Sequence, residues 1–192
     1  QEYDKIVSQT VSAESASLTV AINWVNGEEV LLREERHFVF NKPNKEGAFI
    51  LNKESKITAV KGDTELNGDR EHAGCQFRAN EVVVSNKSAN YLFASKNINE
   101  KGVKATTDIA WAAMNFKVGE NEFHVQHMTH PSLTKKLQYS AYRNYGRFGS
   151  FMTKTIKKGE SFTFPFRFYI SPGAFPETMV ADSIERYKSF AK

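Results

Sequence analysis

The run Ser161–Ile170, SFTFPFRFYI, restricts what this chain can fold into more than any other stretch. Phe162, Phe164, Phe166, Phe168 and Ile170 fall on every second residue. A period of two places all five on one side of an extended strand, whereas a helix would scatter them around its circumference. The chain must therefore build a sheet with a deep apolar face. Pro165 lies in the intervening set and brings no amide donor, which predicts an edge strand or an interruption there.

Other segments repeat the pattern. Leu18, Val20, Ile22 and Trp24 alternate with Thr19, Ala21 and Asn23. Asn26-Gly27 then separates them from Glu29–Phe40, in which Leu32, Phe38 and Phe40 share a face with Arg36. An Asn-Gly between two such runs predicts a hairpin, with both residues suited to positive φ. Residues 42–47 read as a polar loop. Residues 55–74 hold a short strand and a Gly/Asp/Asn-rich connection. Residues 80–95 read as two strands about a polar turn. A second hairpin is predicted about Gly119-Glu120-Asn121, with Ala110, Ala112, Met114, Phe116 and Val118 on one face. Only the tail has helical spacing: Val180, Ile184, Tyr187 and Ala191, flanked by Met179, Ser183 and Phe190, with Pro176 suited to a first turn. Many short strands and one terminal helix predict a mainly β fold: an antiparallel β-sandwich with a short C-terminal helix, read as a single domain over residues 1–192.

Composition excludes several classes of function. The net charge of +4 comes from Lys and Arg interleaved with Glu and Asp, with no basic block, so nucleic acid is not an expected partner. No apolar run approaches the roughly 18 residues of a membrane span, so no membrane is expected either. One cysteine, Cys75, precludes an internal disulfide and a multi-cysteine zinc site, and reads as a small buried hydrophobe. Gln1 either follows a removed targeting sequence or opens a fragment.

His124, His127 and His130 form H-x2-H-x2-H. On a strand the first two rings point to opposite faces, so no metal and no other cofactor is expected. The simple alternative leaves His124 or His127 facing solvent and His130 ending the strand before Pro131. Glu71-His72 pairs an acid with a base, but adjacent strand residues diverge, which favours a turn pair.

The segment Tyr139–Phe151, YSAYRNYGRFGSF, has five aromatic residues, two arginines and no clear period. Two readings compete. It either plugs the end of the sandwich or lines a ligand cleft, with Tyr142 and Tyr145 as stacking faces and Arg143 and Arg147 as donors to hydroxyl or carboxylate oxygens.

Five stretches, residues 70–83, 111–119, 127–131, 142–151 and 158–173, together resemble the bacterial PmoA-like family, labelled "methane oxygenase PmoA" and of unknown function. The Tyr145–Gly149 core, YGRFG, is the most specific part. Where relatives often carry acidic residues before that tyrosine and before the His-Pro, this chain has Asn144 and Thr129. The methane monooxygenase subunit of the same name is a membrane protein, so the label implies no such activity here. The resemblance implies a sugar-related role, since family members often lie near sugar-catabolism genes. It also implies a preceding N-terminal segment, or a partner chain, that completes the fold.

The expected architecture then resembles the mutarotase-like supersandwiches. The ligand is a small sugar derivative or an oligosaccharide, and the location periplasmic or secreted. His72, His130 and Tyr145 are the candidate catalytic residues of a hydrolase, lyase or epimerase. Arg78, Tyr142, Arg143 and Arg147 are the candidate substrate-binding residues. The alternative is a non-catalytic carbohydrate-binding or structural sandwich.

Overall fold

The computed structural model describes residues 1–69, 73–94, 111–133, 137–140 and 146–192. In chain order the elements are β1 (Glu2–Val11), β2 (Ser15–Asn26), β3 (Glu29–Asn41), β4 (Phe49–Ala59), β5 (Thr64–Leu66), β6 (Cys75–Arg78), α1 (Val82–Asn86), β7 (Asn90–Phe93), β8 (Trp111–Val118), β9 (Asn121–Thr129), β10 (Gln138–Ser140), β11 (Arg147–Phe151), β12 (Lys154–Ile156), β13 (Ser161–Pro172) and α2 (Met179–Phe190). An eight-stranded antiparallel sheet runs β1-β2-β3-β4-β13-β9-β8-β7. A three-stranded sheet runs β10-β11-β6, and β12 pairs with β5.

The fold is the expected one, mainly β with a short C-terminal helix. Phe164, Phe166 and Phe168 are buried together, with Phe162 and Ile170 packed against them. Cross-strand partners share a face, so the pairs Phe168–His127 and Phe168–Leu51 carry this inner face into β9 and β4. The three-stranded sheet lies across it. Phe77 of β6 packs its ring 6.0 Å from Phe116 and 6.3 Å from Phe168, and Phe148 of β11 sits 6.1 Å from the His127 ring. The opposite face is covered by α2, where Trp111, Ala113, Met128 and Met179 form a second cluster joined by Tyr169, Tyr187 and Phe190.

Pro165 does not mark an edge. Its strand is central, paired to β4 on one side and β9 on the other. The β9 ladder stops at Phe166–Thr129, one residue short of the proline. The Pro165 carbonyl accepts from the His130 amide at 3.2 Å on that same side. Amide and carbonyl of one strand residue point the same way, so the missing donor falls where the ladder has already ended.

Three further expectations are corrected. Residues 82–86 form a helical turn rather than a strand, despite three valines. The Asn80 side chain accepts from the Val82 amide at 3.0 Å, Val83 is fully buried, and Lys87 ends the turn in the left-handed region. The Asn80 side-chain turn and the burial of Val83 outweigh the β-propensity of a valine run. In the first hairpin only Gly27 takes positive φ, while Asn26 pairs with Glu29 as the last strand residue. On α2 the buried stripe runs through Met179 and Ser183 with Tyr187 and Phe190, whereas Val180 is 48% and Ile184 is 41% exposed. Gln126 of β9 accounts for this rotation. Its amide donates to the Ser183 carbonyl at 3.0 Å, and its oxygen accepts from Arg186 Nε at 2.7 Å.

The stretch Tyr139–Phe151 is not one long loop. Tyr139 and Ser140 pair with Ser150 and Gly149, so both ends are strand. Ala110 and residues 141–145 lie outside the described residues.

Phe166 is 4% exposed at the junction of both sheets. Phe166→Ala should lower the unfolding free energy by about 3–5 kcal/mol, and Val180→Ala by less than about 0.5 kcal/mol. Urea denaturation midpoints of the two variants check the assignment; equal midpoints would reject it.

Candidate functional site

Each strand of the small sheet is tied to β9 by a buried polar contact. His127, fully buried, places Nε2 3.1 Å from the Cys75 carbonyl on β6 and Nδ1 3.1 Å from the Tyr139 hydroxyl on β10. A carbonyl only accepts, so Nε2 carries the ring proton and Nδ1 is the acceptor. The Tyr139 oxygen lies 3.2 Å from Thr129 Oγ1, which lies 2.8 Å from Ser150 Oγ on β11. The Phe166, Phe168, Phe148 and Tyr139 rings enclose the imidazole, Phe168 edge-on at 4.7 Å. Burial drives the His127 pKa down to about 3 and pushes the Tyr139 phenol up. Both stay neutral at physiological pH, which makes the network a structural clamp rather than an acid–base pair.

The other two histidines of the H-x2-H-x2-H run also have partners. His124 faces the opposite side of β9, as strand alternation requires. It is buried rather than solvent-facing, as is His127. Its Nδ1 meets the Gly173 carbonyl at 2.9 Å, its ring packs on Tyr169 and Phe175, and burial lowers its pKa. His130 follows the end of β9. Its Nδ1 accepts from the Ser132 amide at 3.2 Å and its ring sits 5.2 Å from Phe190 of α2. Among the described residues no three His, Cys, Asp or Glu side chains cluster to hold a metal ion. The Cys75 thiol is buried, and desolvation raises its pKa.

Of the residues singled out in the sequence, Arg78 and Arg147 are brought together. They are directly opposed on β6 and β11. Phe77 and Phe148 beside them point into the core, so both arginines point to the far face of the small sheet. Arg78 is exposed; Arg147 is 8% exposed, and its carbonyl accepts from the Tyr91 hydroxyl at 3.3 Å. Gln76 shares that face, opposite Gly149. Its amide donates to the Ala73 carbonyl at 2.9 Å, but its oxygen Oε1 is buried and accepts no hydrogen bond from a described residue. Gly149 is required there: a Cβ would collide with the Cys75 carbonyl and come within 2.6 Å of Gln76 Cα. His130 is on the helix side of the large sheet, so that sheet separates it from Arg147. His72, Tyr142, Arg143 and Tyr145 lie outside the described residues. In the chain, residues 141–145 join β10 to β11 and residues 70–72 precede β6.

A second polar group went unnoticed in the sequence. Glu34 of β3 is 2% exposed on the inner face of the large sheet. Oε1 accepts from Arg36 Nε at 2.7 Å; Oε2 accepts from Arg36 Nη2 and Trp24 Nε1, each at 2.9 Å. Burial alone would raise the Glu34 pKa, but hydrogen bonds from Arg36, Ser55 and Trp24 and the Arg36 charge hold it below the usual carboxylate value. Lys53 of β4 places Nζ 2.9 Å from Ser55 Oγ and 5.3 Å from the centre of the Phe166 ring. Its signal in the sequence was Glu34-x-Arg36 at strand spacing, matched by Lys53-x-Ser55.

Fold and site together define an antiparallel β protein whose small sheet is clamped onto a larger one and bears an arginine pair on its far face. The chain belongs to a family of unknown function, DUF6807, whose profile matches residues 1–185. No curated protein matches it.

The clamp makes stability pH-dependent. The folded pKa of His127 lies below its ordinary 6.5, so the unfolded chain binds the proton first as pH falls. The contribution is complete above about pH 6.5 and declines towards pH 3. Near pH 4.5 the loss should reach about 2–3 kcal/mol, at about 1.4 kcal/mol per pH unit. His127→Gln should be less stable at pH 7 and lose less between pH 7 and 4.5. Parallel urea-unfolding slopes for both proteins across that range would refute this.

Proposed function

We propose that the protein binds a sugar derivative, a sugar acid in particular, on the far face of the three-stranded sheet. One observation carries this reading: Arg78 and Arg147 stand side by side with the unsatisfied Gln76 oxygen on the same face. Two guanidiniums offer forked donors to a carboxylate, and a buried acceptor calls for a hydroxyl donor. A polyhydroxylated carboxylate supplies both. Tyr142, Arg143 and Tyr145, on the connection between β10 and β11, complete the ligand set. His72, Tyr145 and His130 are the acid–base candidates for a hydrolase, lyase or epimerase. The PmoA-like resemblance supports a bacterial, sugar-linked role, and with it a periplasmic or secreted location.

A non-catalytic carbohydrate-binding domain is the second reading. It is favoured by the separation of His130 from Arg147, by the lowered pKa values that keep His127 and His124 neutral, and by the engagement of both His127 ring nitrogens.

Arg78→Gln should leave the melting temperature within a degree or two, because the side chain is exposed, and should weaken D-galacturonate binding by about 1.5–3 kcal/mol. Arg147→Lys, which keeps the charge and loses the fork, should weaken it similarly. Calorimetric titration of galacturonate, with D-galactose as the neutral control, tests both. Unchanged affinity alongside a destabilised Arg147→Lys protein would assign the arginine a structural role and end this reading.

A further inference from the structure

The inner face of the large sheet is covered unevenly. Over β13, β9 and β8 it lies beneath the small sheet, whereas over β1–β3 it carries exposed apolar side chains, among them Tyr3, Ile6 and Phe40. Where cover gives way, β3 and β4 present Glu34, Arg36, Ser55 and Lys53 on one strip; register sets Arg36 opposite Ser55 and Phe38 opposite Lys53. The strip reaches the Cys75 thiol at the start of β6, which Lys53 contacts.

The charges on this strip do not balance. Glu34 has both oxygens occupied by Arg36 and Trp24. Its single charge answers Arg36, and Lys53 is left over. No carboxylate among the described residues lies within ion-pair distance of Lys53, which is half-buried and held by a serine hydroxyl and the face of Phe166. A partly desolvated ammonium without a counter-charge is costly. Arg36, 25% exposed, spends Nε and Nη2 on Glu34 and Gln1, and its Nη1 donates to no described residue. Beside these donors Phe38 and Phe40 stack at 6.1 Å, with Phe40 40% exposed. Two donors with one surplus positive charge, next to an accessible aromatic surface, fit an anion carried on a ring.

We propose that Arg36 and Lys53 form a binding site for a ring-bearing monocarboxylate, with Phe38 and Phe40 as the platform for its ring. Glu34 and Ser55 are positioning residues: Glu34 fixes the Arg36 fork and Ser55 aims the Lys53 ammonium. The carboxylate requirement comes from the charges on the strip alone. That the ring is a sugar rests on the function proposed above.

The test uses the full chain, calorimetric titration and tryptophan fluorescence, with D-galacturonate, its neutral methyl ester and benzoate as probes. Trp24 bonds Glu34 and reports on the strip; Trp111, buried on the helix side, does not. Galacturonate should bind and shift the fluorescence, and the ester should bind about tenfold more weakly, the value of one charge-assisted hydrogen bond. Lys53→Met keeps the stem over Phe166 and should reproduce that loss for galacturonate, while Lys53→Arg restores binding. Arg78→Gln should leave the Trp24 signal unchanged, which separates this site from the arginine pair. Binding of benzoate but not galacturonate would keep the carboxylate site and discard the sugar ring. Absence of a Trp24 fluorescence response to either acid, or an unaltered Trp24-monitored affinity in Lys53→Met, would overturn the site.

Discussion

The grip of β9 on the small sheet is the constraint on which the rest of the structure depends. Short strands do not hold a position alone, since a sheet of three- to five-residue strands buries little surface. Here His127 holds the Cys75 carbonyl on one edge strand and the Tyr139 hydroxyl on the other, and Thr129 holds Ser150 on the middle strand. Each contact is made away from water, where a lost partner costs more than the bond itself contributes. Removal of the imidazole would leave the buried Cys75 carbonyl without its donor and take from the buried Tyr139 hydroxyl one of its partners, Thr129 remaining. The register of β6 against β11, and with it the pairing of Arg78 with Arg147, is held by this clamp.

Much of the fold was legible because alternation survives context. The phenylalanine stripe of β13 and the hairpins at Gly27 and Gly119 follow from periods and turn residues a few positions apart. Where the sequence misled, a longer-range contact had overridden the local signal. Three valines at 82–84 look like strand until the Asn80 side chain takes the Val82 amide and Val83 is drawn into the core. Val180 and Ile184 look like the buried side of α2 until Gln126, from β9, docks on Ser183 and Arg186 instead. Pro165 reads as an edge strand or an interruption, and the strand is instead central, with only its β9 ladder ending beside the proline.

The candidate site was legible only in its residue types. Arg78 and Arg147 were both visible as donors, but their adjacency depends on pairing two strands far apart in the chain. The far face of the large sheet took His130 away from them, and no spacing rule shows which layer follows a strand end. His124 and His127 illustrate the same limit. Alternation correctly parted their rings, yet burial on both sides of β9 could be read only once α2 and the small sheet were in place. Alternation places Arg36 on the face of Leu32, Phe38 and Phe40. Glu34, two residues before it on the same face, escaped notice because a carboxylate at strand spacing ordinarily describes a solvent-facing side, and here that side is the inner one.

The uneven cover of the large sheet gives its strands unequal protection against hydrogen–deuterium exchange. Amides of β13 and β9 are shielded by side chains above and below and by a neighbouring strand on each side, so they open only with the whole fold. Those of β1, exposed along its entire length at the sheet's margin, need only local fraying. Between these limits β3 and β4 form the boundary, and Arg36 and Lys53 stand on it. An occupant held there would tie the loosely protected strands to the firmly protected ones, so the exchange of the outer strands would slow while that of the centre stayed the same.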